Sequence, residues 1–213
     1  IAVSSSPKRK DIGRTACQKK GIPVYDDVSQ LLENVKGKAD VIFVPTPIHT
    51  HFALTKQCLE AGFDVWLEKP PVATIQELDD LIELSKKYGK RVPVAFQSLY
   101  TTIMTELKER IVSGEFGNVL RVKGMAGWPR YDLYYDRGWA GQLKVDGDWV
   151  LDGTINNPLA HLLSNELYLA SMKPEVMAEP ISVQAELYHG HEIASEDTSS
   201  LIIKTADGPD VIF

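Results

Sequence analysis

An acidic residue, a lysine and two prolines end an apolar run in the segment VWLEKPPVA, residues 65–73. A strand that ends here delivers the Lys69 side chain, Glu68 sets the local charge, and Pro70 and Pro71 remove backbone freedom. An ammonium group held in place stabilises the negative charge that develops on a reacting oxygen. On these residues alone, the segment indicates either a chemical role of this kind for Lys69 or an ordinary turn.

Polar residues also follow three other strand-like runs. They read SSSPKR at residues 4–9, TPIHTH at residues 46–51, and a single glutamine at Gln97. In doubly wound sheets, ligands bind beyond the carboxyl ends of the parallel strands. We therefore expect these loops to share one ligand site with Lys69.

The elements that must position these loops alternate through residues 1–97, as in a parallel sheet covered by helices. The predicted strands are Ile1–Ser4, Val41–Pro45, Val65–Leu67 and Val92–Phe96. A helix is predicted over Phe52–Ala61, and two capping-box pairs begin others: Asp27 with Gln30, and Thr74 with Glu77. The fold class is therefore α/β, with a Rossmann-like parallel-sheet domain at residues 1–97.

The pattern changes after residue 97, where residues 98–213 predict an α+β domain with a largely antiparallel open sheet. The predicted helices are Thr102–Val112 and Asn156–Ala170, and the predicted strands are residues 119–126, 182–187, 199–204 and 211–213. Between them, residues 128–149 form a long loop rich in Trp and Tyr. Loops of this length and composition are usually functional.

Composition and charge exclude several classes of protein. Apolar residues at 44% and charged residues at 24% are ordinary for a folded soluble protein, and a net charge of −6 argues against nucleic-acid binding. No apolar run approaches the roughly 20 residues that span a bilayer. Cys17 and Cys58 form no paired motif, so we expect reduced thiols and a cytoplasmic location. His49 and His51 have no third ligand nearby, and no metal site is predicted.

Taken together, TPxxxH followed about twenty residues later by EKP closely resembles the Gfo/Idh/MocA family of NAD(P)-dependent oxidoreductases. The resemblance continues through residues 113–124, 152–161 and 196–208. It implies a Rossmann domain that holds the dinucleotide and a second domain that supplies the substrate wall and the contacts of a homo-dimer or homo-tetramer. It also implies that Lys69 lies beside the nicotinamide, and that the bond from Lys69 to Pro70 is often cis.

The resemblance implies cofactor contacts for ten residues, with His51 on the nicotinamide side. They are Ser4, Ser5, Lys8, Arg9, Thr46, Pro47, His51, Glu68, Lys69 and Gln97. Ser4 with Lys8 and Arg9 would accommodate a 2′-phosphate, which an acidic residue there would repel, so NADP is favoured over NAD. A solvated loop with a basic helix start is the alternative.

Many family members carry an acidic residue followed four positions later by a catalytic histidine, whereas Asp152 is followed at that offset by Asn156. His161 lies five residues further along and fits a related DxxxNNxxxH-like pattern. We therefore expect His161 to relay the proton, with Asp152 orienting or tuning it and Asn156 and Asn157 binding substrate. A buried structural histidine is the alternative.

Arg137 and Trp139 in the aromatic loop are further predicted substrate contacts. Aromatic faces pack on sugar C–H surfaces while arginine satisfies hydroxyl groups, although exposed aromatics also form subunit contacts. Together with these residues, the family resemblance implies hydride transfer between NAD(P) and a hydroxyl-bearing carbon of a sugar or polyol. Asn156 favours the competing hypothesis of a non-catalytic dinucleotide- or sugar-binding homologue.

The two ends of the chain raise a third possibility, a structural fragment. Ile1-Ala2-Val3 reads as the inside of a strand, and the last predicted strand breaks off at Phe213. Family members carry a GxGxxG-type turn for the pyrophosphate, and this sequence has none. We therefore expect the first strand, that turn and a C-terminal part to belong to a longer protein.

Overall fold

The computed structural model describes residues 1–5 and 12–213 of the chain. These residues divide into an N-terminal unit, comprising residues 1–46, 50–71 and 75–94, and a C-terminal unit, comprising residues 47–49, 72–74 and 95–213. The main change of unit therefore falls three residues before the predicted boundary. Lys8 and Arg9, two predicted cofactor contacts, lie outside the described residues.

The N-terminal unit alternates short strands with helices. In chain order these elements are β1 (Val3–Ser4), α1 (Ile12–Lys19), β2 (Val24–Tyr25), α2 (Val28–Val35), β3 (Val41–Val44), α3 (His51–Glu60), β4 (Asp64–Leu67) and α4 (Ile75–Tyr88). β1 pairs in parallel with β2, and β3 pairs in parallel with β4. Parallel pairs separated by helices confirm the predicted α/β class.

One predicted capping box is visible at the start of α2. The Asp27 carboxylate accepts a hydrogen bond of 2.8 Å from the backbone N–H of Gln30, which has no partner within the helix. Such a cap typically stabilises a helix by about 1 kcal/mol. The local sequence therefore determines where α2 begins.

The predicted strand Val92–Phe96 is wrong, because only Val94 forms a bridge, in parallel, with Leu67 of β4. The backbone N–H groups of Val65 and Leu67 donate to the carbonyl oxygens of Arg91 and Pro93 at 2.9 and 3.0 Å. Pro93 has no N–H to continue the ladder, and this interrupts the strand.

The core of the N-terminal unit lies where α3 and α4 meet β4. Leu59, Val65 and Leu67 are fully buried, and Leu81 of α4 is nearly so. Burying a side chain of this size contributes about 1.5–3 kcal/mol. The strand that ends at the Lys69 corner is thus one of the most firmly packed in the unit.

The C-terminal unit begins with a 3₁₀ turn, Gln97–Tyr100, and continues as an α+β arrangement. Its elements are α5 (Thr102–Val112), β5 (Arg121–Lys123), α6 (Asp132–Tyr135), β6 (Lys144–Val145), β7 (Asp148–Trp149), α7 (Ala160–Ala170), β8 (Pro180–Tyr188), β9 (Thr198–Thr205) and β10 (Asp210–Ile212). The main sheet has the order β5-β10-β9-β8. β5 and β10 are parallel, and the other two pairs are antiparallel. The sheet is therefore mixed, and largely antiparallel as predicted.

One face of this sheet packs against α7. Leu201 and Ile203 alternate with exposed residues along β9, and they form a core with Ala170, Ala178 and Val211. β8 pairs with β9 so that Val183 lies opposite Ile203, yet every residue of β8 is exposed. The core therefore covers β9 and β10 and stops short of the edge strand.

Helix α7 begins at Ala160, so the predicted helix from Asn156 starts four residues too early. Pro158 lacks a backbone N–H and restricts the residue before it, and this disfavours helix at Asn157. Residues 154–159 form turns instead. Asn157 therefore does not share a helical face with His161, contrary to the prediction.

Helix α7 ends on a buried lysine from α5. Lys108 Nζ donates to the carbonyl oxygens of Tyr168 and Ser171 at 2.6 Å and of Val176 at 3.2 Å. It also lies 4.5 Å from the centre of the Tyr168 ring. The ammonium thus satisfies carbonyl groups that a helix end leaves without partners.

Among residues 1–5 and 12–213, no helix has the length and apolar character needed to cross a membrane.

Candidate active site

The Lys69 corner follows directly from the end of β4 at Leu67. The Lys69–Pro70 peptide bond is cis, as the family resemblance implied. The Lys69 backbone N–H donates to the Glu68 carboxylate at 3.2 Å, and both residues are half-buried. The structure thus places a lysine and an acidic group at the carboxyl end of a parallel strand.

His51, the first residue of α3, supports this corner from inside the N-terminal unit. Its ring is fully buried, with Nδ1 2.8 Å from the Pro70 carbonyl oxygen and Nε2 2.7 Å from the Thr46 carbonyl oxygen. Burial lowers the pKa of His51, while the two carbonyl contacts and the nearby Glu68 oppose that shift. Because both ring nitrogens face backbone carbonyls, we assign His51 a positioning role, and the cofactor contact predicted for it stays a prediction.

The loop after β3 is tied to the same corner. Thr46 and Thr50 share a hydrogen bond of 2.7 Å between their hydroxyl groups, and Thr46 also contacts His51 through its carbonyl oxygen. The carboxyl ends of β3 and β4 are therefore linked through buried polar contacts. Such contacts fix the geometry of two loops predicted to meet the cofactor.

At the carboxyl ends of β1 and β2, the structure shows a cation that the sequence analysis missed. Arg14 of α1 donates to the Ser5 carbonyl oxygen at 2.6 Å and pairs with Asp26. Ser5 in turn donates to the Tyr25 carbonyl oxygen at 3.0 Å. Arg14 follows the basic run by several residues, and only the packing of α1 brings it back to Ser5.

In the C-terminal unit, Asp152 is buried and accepts two strong hydrogen bonds. Its carboxylate oxygens lie 2.7 Å from the Gly141 backbone N and 2.6 Å from the Asn157 side-chain nitrogen. Asn156 donates its amide to the Leu151 carbonyl oxygen at 3.0 Å. The structure therefore brings Asp152 and Asn157 together and anchors Asn156 beside them.

His161 lies half-buried on the first turn of α7. Its Nδ1 atom is 3.5 Å from the Ser98 hydroxyl, and its ring meets Phe96 edge to face with centroids 5.8 Å apart. Ser98 also donates to the Asn165 side-chain oxygen at 3.0 Å. The Ser98 contact is long, and it is therefore a weak hydrogen bond.

The aromatic loop carries two arginines that pack on one ring. Arg130 and Arg137 lie 4.4 and 4.7 Å from the centre of the Tyr134 ring, and Arg137 also lies 6.0 Å from Trp139. Arg137 is exposed, whereas Arg130 is half-buried. The predicted contacts Arg137 and Trp139 thus stack together, and Arg130 is the arginine that the sequence analysis overlooked.

The predicted site residues fall in both units. The N-terminal unit holds Ser4, Ser5, Thr46, His51, Glu68 and Lys69; the C-terminal unit holds Pro47, Gln97, Arg137, Trp139, Asp152, Asn156, Asn157 and His161. The described part of the chain contains no group of three His, Cys, Asp or Glu side chains able to hold a metal ion.

The N-terminal part of the chain matches a known family. Residues 2–96 match the profile of the oxidoreductase family with an NAD-binding Rossmann fold, the Gfo/Idh/MocA family. A D-glucoside 3-dehydrogenase of Escherichia coli is 31% identical over 112 residues, which are 49% of this chain and 31% of that protein. A D-xylose dehydrogenase of Paenarthrobacter nicotinovorans is 28% identical over 89 residues, 42% of this chain and 23% of that protein.

Solved structures extend the similarity to both units. The WlbA dehydrogenase of Chromobacterium violaceum, in complex with NADH and UDP-GlcNAcA, has a TM-score of 0.80 at 25% identity and covers 93% of this chain. An aldose-aldose oxidoreductase of Caulobacter crescentus, complexed with glycerol, has a TM-score of 0.80 at 21% identity and covers the whole chain. This chain covers 55% and 61% of those two proteins. It spans well under two thirds of its similar proteins.

Proposed function

We propose that this chain, whose residues 2–96 belong to the Gfo/Idh/MocA family of NAD-binding oxidoreductases, takes part in hydride transfer between NAD(P) and a hydroxyl-bearing carbon of a sugar or polyol. The observation that carries the proposal is the Lys69 corner, braced by buried His51 within the matched segment. The names of the two curated relatives, a glucoside and a xylose dehydrogenase, support a sugar as substrate.

The polar groups at the carboxyl ends of β1, β3 and β4 fit the ribose and nicotinamide ends of a dinucleotide. Ser5, Thr46, Glu68 and Lys69 supply them, whereas no GxGxxG turn for the pyrophosphate occurs in the 213 residues. When bound, NAD(P) would supply the hydride acceptor for the carbinol carbon, and a base of the protein would take the hydroxyl proton. Side chains of the protein stabilise the reacting oxygen, take the proton and bind the substrate.

Lys69 stabilises the oxygen as negative charge develops on it, because its ammonium is delivered by a packed strand. His161 takes the hydroxyl proton, since neutral imidazole accepts protons near neutral pH. Asp152 holds Asn157 by the 2.6 Å hydrogen bond, and Asn156 and Asn157 bind substrate hydroxyls with Arg137 and Trp139.

The test is turnover of a panel of sugars and polyols, followed by nicotinamide absorbance, for the wild type and Lys69→Ala. We expect Lys69→Ala to lower kcat by at least about 100-fold, the usual effect of removing an electrostatic contact to a reacting oxygen. A matched control is Lys56→Ala, an exposed lysine on α3. Unchanged turnover in Lys69→Ala would overturn the catalytic role.

A preference for NADP over NAD is a separate proposal. It is supported by the basic residues Lys8 and Arg9 and by the absence of an acidic residue at positions 4–9. The double variant Lys8→Ala with Arg9→Ala is expected to weaken NADP binding about tenfold and to leave NAD binding unchanged. Equal losses for both cofactors would contradict it.

A non-catalytic binding protein is the second candidate, and Asn156 is the observation that favours it. Asn156 occupies the offset at which many relatives carry the acid–base histidine, and its amide is engaged with the Leu151 carbonyl oxygen. Binding of cofactor and sugar without any turnover would support this candidate. We further propose a cytoplasmic location and a homo-dimer or homo-tetramer formed through the C-terminal sheet.

A further inference from the structure

Two adjoining cavities lie within the C-terminal unit, next to Asp152. The larger has a volume of about 370 Å³ and the smaller about 250 Å³. Both are lined by Trp128, Arg130, Tyr135, Asp197 and Thr198. A cavity of this size accommodates a monosaccharide-sized ligand.

Arg130 is the unusual member of this lining. Its guanidinium lies 4.4 Å from the centre of the Tyr134 ring and 5.8 Å from that of Trp128. Among the described residues, its buried Nε atom has no hydrogen-bond partner. Across the described part of the chain, it forms no ion pair within 4 Å. A buried donor without a partner is costly, so the site gains free energy when a ligand supplies an acceptor.

The neighbouring aspartates are already committed to protein groups. Asp197 accepts from the backbone N–H of Gly190 and His191, from the His191 ring at 2.8 Å, and from Thr198. Burial acts to raise the pKa of Asp197, but these hydrogen bonds lower that pKa to about 2. Asp152 is likewise engaged by Gly141 and Asn157. Arg130 is therefore the cationic group of the cavity with capacity for a new partner.

The remaining lining suits a polyhydroxylated ring. Because ionised Asp197 only accepts hydrogen bonds, the His191 Nδ1 atom beside it donates, and Nε2 remains for a ligand hydroxyl. The Glu196 carboxylate makes only long contacts of 3.4 Å to Thr154 and Ser195, so it retains acceptor capacity. Trp128 and Tyr135 offer aromatic faces for sugar C–H groups.

We propose that these cavities bind a sugar derivative that carries an oxyanion, a carboxylate or a phosphate, with Arg130 as its charged partner. A guanidinium held by aromatic faces keeps its planar fork aligned for two-point contact with such a group. Glu196 and His191 then recognise hydroxyl groups of the same ligand. This ligand class would be the substrate class of the proposed oxidoreductase, so the assignment of a substrate rests on the proposed function.

The experiment measures binding alone, by calorimetry on the whole chain without cofactor. D-glucose, D-glucuronate and D-glucose 6-phosphate are titrated into the wild type, Arg130→Gln, Arg130→Lys and the exposed control Arg121→Gln. We expect the wild type to bind glucuronate or the phosphate at least about tenfold more tightly than glucose, and Arg130→Gln to lose that preference. Arg130→Lys keeps the charge and is expected to retain part of it, and Arg121→Gln all of it.

Which anion binds more tightly identifies the oxyanion, and either one supports the inference. Equal binding of all three sugars by the wild type, or no binding of any, overturns it, as does an intact preference in Arg130→Gln. If Arg130→Gln fails to fold, the preference of the wild type for the anionic sugars and the part of it that Arg130→Lys retains still test the proposal. Anion-selective binding without turnover would sink the proposed enzyme and spare this site, whereas turnover of neutral sugars without anion preference would do the reverse.

Discussion

The imidazole of His51 lies 2.8 Å from the carbonyl oxygen of Pro70, so the first residue of a helix holds the residue that follows Lys69. Its other ring nitrogen contacts the Thr46 carbonyl oxygen at 2.7 Å. One buried side chain thus ties together the ends of two parallel strands. The position of Lys69 depends on a residue that is distant in sequence.

Replacing this tie is expected to damage both stability and turnover. His51→Ala removes a fully buried ring and leaves the carbonyl oxygen that accepts from its one N–H without a donor, so we expect a loss of about 3 kcal/mol in the free energy of unfolding. Urea denaturation measures that loss, and the exposed Lys56→Ala on the same helix serves as control. A loss no larger than that of the control would contradict the positioning role.

His51 also predicts a pH dependence. Burial lowers its pKa from 6.5, so the folded protein holds the ring neutral while the unfolded chain binds a proton. The stabilisation is therefore complete above the unfolded pKa and is lost as pH falls below it. Urea midpoints measured from about pH 7 to about pH 5 should fall less in His51→Gln than in the wild type.

Glu166 predicts the opposite trend. Among the described residues, neither of its buried carboxylate oxygens has a hydrogen-bond partner, and a side chain at Gly124 would collide with Oε1. Burial raises the pKa of Glu166 from 4.5 to about 7, so the folded state holds the proton more tightly than the unfolded chain. The protein therefore loses stability as pH rises from about 4.5 through 7.

The neutral variant Glu166→Gln should escape that loss. Relative to the wild type, its free energy of unfolding is expected to be higher by about 2–3 kcal/mol at pH 8 and nearly equal at pH 5. Urea denaturation at the two pH values tests this, with Glu106→Gln on the exposed side of α5 as control. A gain of equal size at both pH values would show that the carboxylate charge is not the cause.

Lys108 is expected to matter through its three carbonyl contacts. Lys108→Met keeps most of the buried chain but leaves the end of α7 without donors, so we expect a loss of about 2–4 kcal/mol in the free energy of unfolding. Burial lowers the pKa of Lys108 to about 8, which leaves the ammonium charged at neutral pH. Thermal unfolding measures the effect, and a neutral result for Lys108→Met would refute the capping role.

The two cysteines should differ sharply in reactivity. Cys58 is 1% exposed, and burial raises its pKa to about 11, whereas Cys17 is half-buried on the short helix α1. The thiolate is the reacting species, so iodoacetamide should label Cys17 first and Cys58 only when the N-terminal unit opens. Peptide mapping by mass spectrometry reads both sites, and equal rates in the native state would contradict the packing of α3.

Local patterns predicted the elements whose signals are complete within one segment. Helix α5 has the predicted bounds, Thr102–Val112, because its apolar spacing and its flanking residues agree. Strands β2, β6 and β7 contain only two residues each, too few to show a period, and they were missed. Pro158 shortened α7, and Pro93 interrupted the fourth predicted strand. Each proline lacks the backbone N–H that would continue the element, and the spacing of apolar residues does not register that loss.

The same distinction applies to the site. The Lys69 corner was predictable because its residues are adjacent in sequence. The cluster of Arg130, His191 and Asp197 was not, because it assembles only when residues 189–197 fold back onto Gly141, whose carbonyl oxygen accepts from Ala194 and Ser195. Spacing in the sequence carries no trace of that contact.

Strand β8 has a practical consequence. Val183 and Leu187 project from its core-side face at 63% and 52% exposure, Ile181 at the register shift is 64% exposed, and the outer edge presents a row of backbone groups that another chain could pair with. Edges of this kind template further pairing. Samples of the chain on its own should therefore elute from a sizing column earlier as they are concentrated. The single substitution Val183→Lys should be enough to keep them monodisperse.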